Sequence, residues 1–369
     1  MKIAIDACGY KSGGISRYIS NLALGLDSSS NFKTTILRDY QDIKESIVPD
    51  VGSTLYVNRS NNNKLYTVDW YERNIQQILT NLDISLFHGT AYAFPNLDHI
   101  PCVVTIHDLI FYHLKESYGS LFKFYDYWVE KAKAENKQVI TVSNFSKREL
   151  VEMAGFNEDL ISVIPLGIDL NKYKLTSKEN KEYIGYTPYL LHVGKICKNK
   201  NQIILIDSIA RLNTKGYKLN VILIDHTYNK REHQIIMNHA KKLGVSDQIF
   251  ILNKVSDQQL QSFYSLAEVF TFPSLFEGFG LPPLEAMACG TPVVCSNKAS
   301  LPEVVGDGAI CVNPVDIEEI SESIIRILSD TNFKNDLIRK GEKQVQKFTW
   351  ETCVNSTINL YRDIVAINS

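Results

Sequence analysis

What this sequence lacks narrows its class before any motif is read. No apolar run reaches the roughly 18 residues needed to cross a bilayer, so a membrane-spanning helix is not expected. Neither sign of charge prevails: 39 Lys and Arg stand against 41 Asp and Glu, for a net charge of −2. Without a basic excess or an aromatic-basic RNA motif, nucleic acid is not expected as a partner. The cysteines are Cys8, Cys102, Cys197, Cys289, Cys295, Cys311 and Cys353. Their number is odd, no pair has C-x-x-C spacing, and most lie in or beside apolar runs. They read as small buried hydrophobes in a reducing cytosol. They do not cluster with other ligating residues, so no zinc site is expected. The opening "MKIAIDACGY" meets Asp6 too early for a signal peptide and reads instead as a buried first strand. Internal repeats and low-complexity tracts are absent.

What is there fits a two-domain α/β protein. The chain has 369 residues, too many for one ordinary core. Short apolar runs ("KIAID", "STLYV", "ISLFHG", "CVVTIHD", "QVITVS", "ISVIPLG") alternate with helix-length stretches such as 69–80, 116–136 and 144–154. That alternation predicts β-α units on a mostly parallel sheet. It stops in the polar stretch 169–188 and resumes with "YLLHVGK", "LNVILID", "QIFILN", "EVFTFPS", "TPVVCS" and "GAICV". The expected organisation is a first doubly wound domain over 1–168, a linker over 169–188 and a second doubly wound domain over 189–347. In such sheets ligands sit beyond the carboxyl ends of the strands. A final helix over 348–369 has Thr349 as its N-cap and Val354, Ile358, Tyr361 and Ile364 at helical spacing. It is expected to pack back towards the first domain; the plainer alternative is a helix packed on the second.

Three loops invite a ligand. After "KIAID", Gly13 and Gly14 precede a helical pattern, so backbone N–H groups and a helix N-terminus stand open to an anion. The same pair also suits a plain turn. After "YLLHV", Gly194 is followed by Lys195, Lys198 and Lys200 before another helix start. This is a diphosphate site or a solvated lysine cluster. After "VFTFPS" comes "LFEGFGLPPLEAMACG", in which Glu277 and Glu285 flank a glycine-proline turn that opens a helix. Carboxylates there can accept hydrogen bonds from sugar or ribose hydroxyls. A helix-capping role suits either one alone and explains the pair poorly.

With these residues in view, the chain resembles the retaining GT-B glycosyltransferases of family 4. "EGFGLPPLE" resembles their E-x7-E signature, "GGISRY" their N-terminal glycine loop, and "VGKICKNKN" their phosphate segment. "TIHDLIFY", "VITVSNFSKREL", "VIPLGID" and "FTWE" resemble further family segments in the same order. The resemblance implies a GT-B architecture: two Rossmann-like domains, a cleft between them and a closing C-terminal helix. It implies that Glu285 holds ribose hydroxyls and Glu277 hydroxyls of the donor sugar. Backbone N–H groups of Phe279, Gly280 and Leu281 would face the donor. Lys195 and Lys200 would neutralise the leaving diphosphate, with Gly194 beside them and Gly13 and Gly14 approaching from the other domain. His107 would face the sugar near its anomeric carbon; a hydrogen-bonded core histidine is the plainer reading.

The resemblance further implies retention at the anomeric carbon and a metal-independent reaction, consistent with a chain that has no Asp-x-Asp triplet, and no cofactor is expected. The expected donor is a nucleotide sugar, GDP-mannose first, with UDP-hexose or N-acetylhexosamine, dTDP-rhamnose and GDP-fucose as alternatives. The expected acceptor is a glycan or a polyprenyl-diphosphate-linked oligosaccharide of bacterial surface polysaccharide synthesis. The protein is expected in the cytoplasm, where peripheral contact with the inner membrane face would involve the aromatic, lysine-bearing stretch 111–138. Packing of that stretch on the first sheet is the favoured reading. The rival class is a catalytically silent scaffold, against which the retention of Glu277, Glu285 and Lys200 argues. Four positions depart from the family pattern: Asp225 and His226 replace a glycine-containing turn, Asn253 stands where glycine is common, and Lys195 replaces an arginine.

Overall fold

The computed structural model describes residues 1–9, 13–29, 31–39, 48–57, 74–175, 185–225 and 227–367. The chain divides into two compact units, Met1–Gly167 with Thr349–Ser369, and Ile168–Phe348. Each is built on one sheet whose pairings are all parallel. Parallel strands are covered on both faces, which is why they read as continuous apolar runs rather than as alternating patterns.

The first unit contains β1 Lys2–Asp6, β2 Lys33–Asp39, β3 Ser53–Val57, β4 Leu86–Gly89, β5 Cys102–Thr105, β6 Gln138–Thr141 and β7 Ile161–Val163. Their order is β3-β2-β1-β4-β5-β6-β7. β2 escaped the apolar-run reading because "KTTILRD" opens on a lysine and two threonines. Threonine is β-branched and suits a strand, and the register sets Thr34 opposite Ile3. Helix α1 (Gly14–Asp27) follows β1, and α2 (Gln76–Asn81) precedes β4. Of the helix expected over 69–80, residues 69–73 lie outside the described ones. A short helix α3 (Ile110–His113) follows β5, and the single helix expected over 116–136 is instead two pieces, α4 (Lys115–Tyr118) and α5 (Ser120–Ala134). Gly119, at φ 49° and ψ −122°, turns the chain between the last two. On α5, Phe124, Trp128, Val129 and Ala132 face the core. Helix α6 (Asn144–Glu152) follows β6; Ser143 caps it, accepting the Ser146 N–H at 3.1 Å.

The second unit contains β8 Tyr189–Val193, β9 Asn220–Ile224, β10 Ile249–Leu252, β11 Val269–Phe272, β12 Val293–Ser296 and β13 Ala309–Val312, in the order β10-β9-β8-β11-β12-β13. Its helices are α7 (Ile203–Thr214), α8 (Lys230–Lys242), α9 (Asp257–Leu266), α10 (Leu281–Ala288), α11 (Leu301–Val305), α12 (Ile317–Ser329) and α13 (Thr331–Val345). Side-chain caps start several of them: Asn229 on α8, Asp316 on α12, Asp330 on α13, and on α9 a full Ser256–Gln259 capping box. Leu190, Leu205, Ile209, Val221, Val269 and Ile324 are among the core side chains.

The stretch read as a linker is, in its described part, integral to the second unit. Lys172 pairs with Asp257 at 2.7 Å, Tyr173 packs edge-on to Tyr264, and the Lys174 carbonyl accepts from Gln261. Residues 176–184 lie outside the described ones. The last helix, α14 (Trp350–Ile367), groups with the first unit. Thr349 accepts the Thr352 N–H at 3.1 Å as its cap. Gly25 on α1 lets α14 approach, for a Cβ there would stand 2.6 Å from Val354. A buried polar string ties α1, β5, β4 and α14 together: Tyr18 OH to Thr105 Oγ1 at 3.1 Å, Thr105 Oγ1 to His88 Nε2 at 2.7 Å, His88 Nδ1 to Tyr361 OH at 2.5 Å. No described helix is long and apolar enough to cross a membrane.

Candidate functional site

In the second unit the strand order reverses between β8 and β11. The connections that leave these two neighbours run to opposite sides, which opens a crevice at their carboxyl ends. The two loops that start there are those bearing Gly194–Lys200 and Glu277–Gly280. They are stitched together. Leu275 N–H donates to the Asn199 carbonyl at 2.8 Å, and Asn199 Nδ2 donates to the Phe276 carbonyl at 2.9 Å. Lys200 Nζ pairs with Glu277 Oε1 and lies 5.0 Å from the centre of the Phe272 ring. The side chains of Lys200 and Glu277 are 21% and 13% exposed, so both are only partly hydrated. Lys195 and Lys198 are exposed.

A buried pair of side chains under the lysine loop holds its shape. His192, on β8, stacks on Phe272 and donates Nδ1–H to the Thr271 carbonyl at 2.9 Å. Its Nε2 accepts from Gln202 Nε2 at 3.1 Å, and Gln202 also donates to the Lys195 carbonyl at 2.8 Å. Burial pushes the His192 pKa down to about 3, so the ring is neutral and its tautomer is set by these two bonds.

The second loop enters α10 through Gly280, at φ 115°, where a Cβ would stand 2.6 Å from Leu301 Cδ2. Only glycine meets both conditions. Pro282 and Pro283 lack N–H groups, so of the donors a helix start leaves unused, Leu281 keeps one beside the loop N–H groups of Phe279 and Gly280. Ser300, fully buried before α11, clamps the loop by donating Oγ–H towards the carbonyls of Glu277 at 2.8 Å and Phe279 at 2.9 Å. Glu285 opens the second turn of α10 and is 1% exposed; its Oε2 accepts from Tyr264 OH at 2.7 Å. The reserve of negative charge there is felt by Cys289, whose thiol is pushed up to about 12 by burial and then by Glu285. Glu277 and Glu285 thus share one loop-helix junction, as their spacing suggested, but in different surroundings. Glu277 meets a lysine at the crevice, whereas Glu285 stands inside.

The departures from the family pattern lie on the neighbouring strand ends. Asp225 follows β9 and accepts from His233 Nε2 at 2.8 Å and from Thr227 N–H at 2.9 Å. The His233 and Thr227 bonds outweigh burial and hold its carboxyl below the usual range. Asn253 is exposed after β10, and His226 lies outside the described residues.

In the first unit the order reverses between β1 and β4. Gly13, at φ 95° and ψ −167°, is the N-cap of α1, and among the described residues no side chain caps that helix start. His107, just past β5, is 7% exposed. Its Nε2–H donates to the Thr90 carbonyl at 3.0 Å, which leaves the lone pair on Nδ1. Burial lowers its pKa to about 4, and Tyr18 lies edge-on to it. His107 is therefore a neutral hydrogen-bond acceptor, not a cation. Among the described residues, no three His, Cys, Asp or Glu side chains gather as a metal site.

Sequence reasoning did not find Gln202, His192, Asn199, Tyr264 or Ser300. Gln202 holds the Lys195 carbonyl, Tyr264 holds Glu285 and Ser300 holds Glu277 and Phe279, while His192 and Asn199 support the loops between them; Asn199 lies within "VGKICKNKN", but no motif singles out its role. The one available signal was polarity inside apolar runs: His192 in "YLLHV" and Tyr264 in the segment before "VFTFPS".

Known proteins share both halves. Residues 12–172 match the family described as Glycosyltransferase Family 4, and residues 176–344 that described as Glycosyl transferases group 1. O-antigen chain mannosyltransferase B of Escherichia coli is 32% identical over 288 residues, 75% of this chain and 74% of that protein. Serotype-specific mannosyltransferase WbdA of Escherichia coli is 29% identical over 74% of this chain, which spans only 36% of that longer relative. The solved sucrose-phosphate synthase of Thermosynechococcus elongatus, 20% identical, superposes over 99% of both chains with a TM-score of 0.82. Sequence kinship over both halves and a backbone shared from end to end lead to one conclusion: the chain is a glycosyltransferase of the GT-B fold and belongs to family 4.

Proposed function

We propose that the chain transfers a sugar from a nucleotide-sugar donor, GDP-mannose first, to a glycan or a polyprenyl-diphosphate-linked oligosaccharide, with retention and without a metal. The observation that carries this reading is the meeting of Lys200 with Glu277 where the strand order reverses, beside the open N–H groups before α10. A cation next to a hydroxyl acceptor is what a sugar diphosphate requires. The mannosyltransferase names of the two curated relatives favour mannose, and the O-antigen chain of one favours a surface polysaccharide in a bacterial cytoplasm.

Each group then has a task. Lys195 and Lys200 offset the charge that grows on the leaving diphosphate, helped by the N–H groups of Phe279, Gly280 and Leu281. Glu277 accepts from hydroxyls of the donor sugar and Glu285 from those of the ribose. From the first unit, His107 offers its Nδ1 to a sugar hydroxyl, and Gly13 and Gly14 offer backbone N–H groups to the diphosphate. The bond from the anomeric carbon to the phosphate oxygen breaks, and the acceptor oxygen bonds to the same face. The acceptor's proton passes to the leaving phosphate oxygen.

A thermal-shift panel of GDP, UDP, dTDP and their sugars tests this. A ligand at about a hundred times its Kd raises stability by roughly 2.7 kcal/mol. The expected result is a shift with guanine nucleotides that Glu285→Ala abolishes. A shift with UDP or dTDP alone moves the donor to a UDP- or dTDP-sugar. No shift with any nucleotide removes the proposed donor site and leaves a catalytically silent scaffold of this family. Transfer that persists in excess EDTA, giving one anomer of the donor's own configuration by NMR, is the expected outcome for the reaction type.

A further inference from the structure

The site as described pairs two groups that the proposed reaction needs apart. Among the described residues, Glu277 is the carboxylate paired with Lys200 and Lys200 the cation paired with Glu277. Both are largely buried, and the Phe272 face packs against the ammonium, so the pair is less screened than one on the surface. Neither loop is free to carry its charge away. Asn199 bonds the lysine loop to the Phe276 carbonyl, and Ser300 clamps the carbonyls of Glu277 and Phe279. A diphosphate arriving at Lys200 therefore meets a carboxylate already in place.

We infer that Glu277 and the donor diphosphate compete for Lys200, and that the sugar of an intact donor settles the competition. The inference rests on the donor reading above. A nucleotide sugar brings hydroxyls that donate to Glu277, which satisfies the carboxylate and leaves the ammonium to the diphosphate. A nucleoside diphosphate brings no such hydroxyls. It must share Lys200 with an anion a few ångströms away, and like charges in a partly dry crevice repel. The pair thus favours the intact donor over the spent nucleotide and helps the product leave. Glu277 gains a second task beyond contacting the sugar, that of positioning residue for Lys200.

The two tasks separate in binding to a nucleotide without a sugar. Isothermal titration would use GDP, or UDP if that is the nucleotide that shifts the wild-type melting temperature. A Glu277 that contacts only the sugar leaves this affinity unchanged on mutation to glutamine. Competition predicts that Glu277→Gln binds the bare nucleotide about fivefold tighter, the range of a single partly exposed ion pair. In the Lys200→Met background the same change should have little effect, because the contested cation is gone. Melting curves of each variant check folding, and Glu277→Asp, which keeps the charge, should restore much of the wild-type weakness. Unchanged or weaker nucleotide binding by Glu277→Gln overturns the inference while leaving the donor reading intact. So does a gain that persists without Lys200. Failure of the wild type to bind any nucleotide overturns both.

Discussion

At the residue scale, the two glutamates separate by what surrounds them. Glu285 is inside the second unit and accepts a hydroxyl from Tyr264, itself fully buried. Removing one donor from a buried carboxylate costs about 1–3 kcal/mol, because the group loses solvation without replacement. Tyr264→Phe should therefore lower the unfolding free energy by about that amount in a denaturant titration, and also weaken nucleotide binding through a misplaced Glu285. Stability within about 0.5 kcal/mol of wild type would show that the hydroxyl contributes nothing. Lys195 offers the contrast. It is exposed, so Lys195→Ala should leave stability unchanged within about 0.5 kcal/mol while it weakens diphosphate binding, more at low salt than at high. A lysine here rather than an arginine supplies a point charge without a planar fork, which suits a loop whose carbonyl, not its side chain, is tied down by Gln202.

At the scale of elements, the loop into α10 is the part with least freedom. Gly280 combines a positive φ with a close approach to Leu301, and Gly280→Ala violates both. The expected result is a loss of about 1–3 kcal/mol in stability together with a sharp fall in nucleotide affinity, since the N–H groups of Phe279 and Leu281 move with the strained residue. Normal affinity in a destabilised variant would mean that those N–H groups are not part of the site. This loop was legible because its chemistry is local: glycines, prolines and carboxylates at a fixed spacing at the end of an apolar strand. The second sheet was legible for a similar reason, as each of its strands is a mostly apolar run. β2 was not, because threonines stand where the run begins. α4 and α5 read as one because Gly119 interrupts a pattern whose apolar spacing continues across it. The placement of α14 was also out of reach of its own periodicity. That periodicity shows which face is buried, and only the fit of Val354 against Gly25 and of Tyr361 against His88 shows what buries it.

At the scale of the whole molecule, buried neutral histidines make stability depend on pH. His88 and His107 in the first unit and His192 in the second have pKa values lowered to about 3, 4 and 3, each chiefly by burial. The unfolded chain binds a proton at each near pH 6.5, whereas the folded chain does not until far lower. Below about pH 6.5 unfolding therefore takes up protons, and stability falls with pH by about 1.4 kcal/mol per unit for each histidine. One group opposes this. Burial raises the Glu149 pKa, so the folded chain takes up that proton first and regains part of the loss. Three histidines less at most one carboxylate leave a net slope of about 2.7–4 kcal/mol per pH unit between roughly pH 6 and 4.5, summed over both units. The contribution is fully present above pH 6.5 and is lost as the pH falls towards 4. Denaturant unfolding at pH 7, 6, 5.5 and 5 reads the slope directly. His192→Gln should flatten it by about 1.4 kcal/mol per unit, for the three histidines act additively where they share no partner. A stability unchanged from pH 7 to 5 would mean that these rings take up protons at the same pH in the folded chain as in the unfolded one. The reading of His107 as a neutral acceptor for a sugar hydroxyl would then hold only above about pH 6.5.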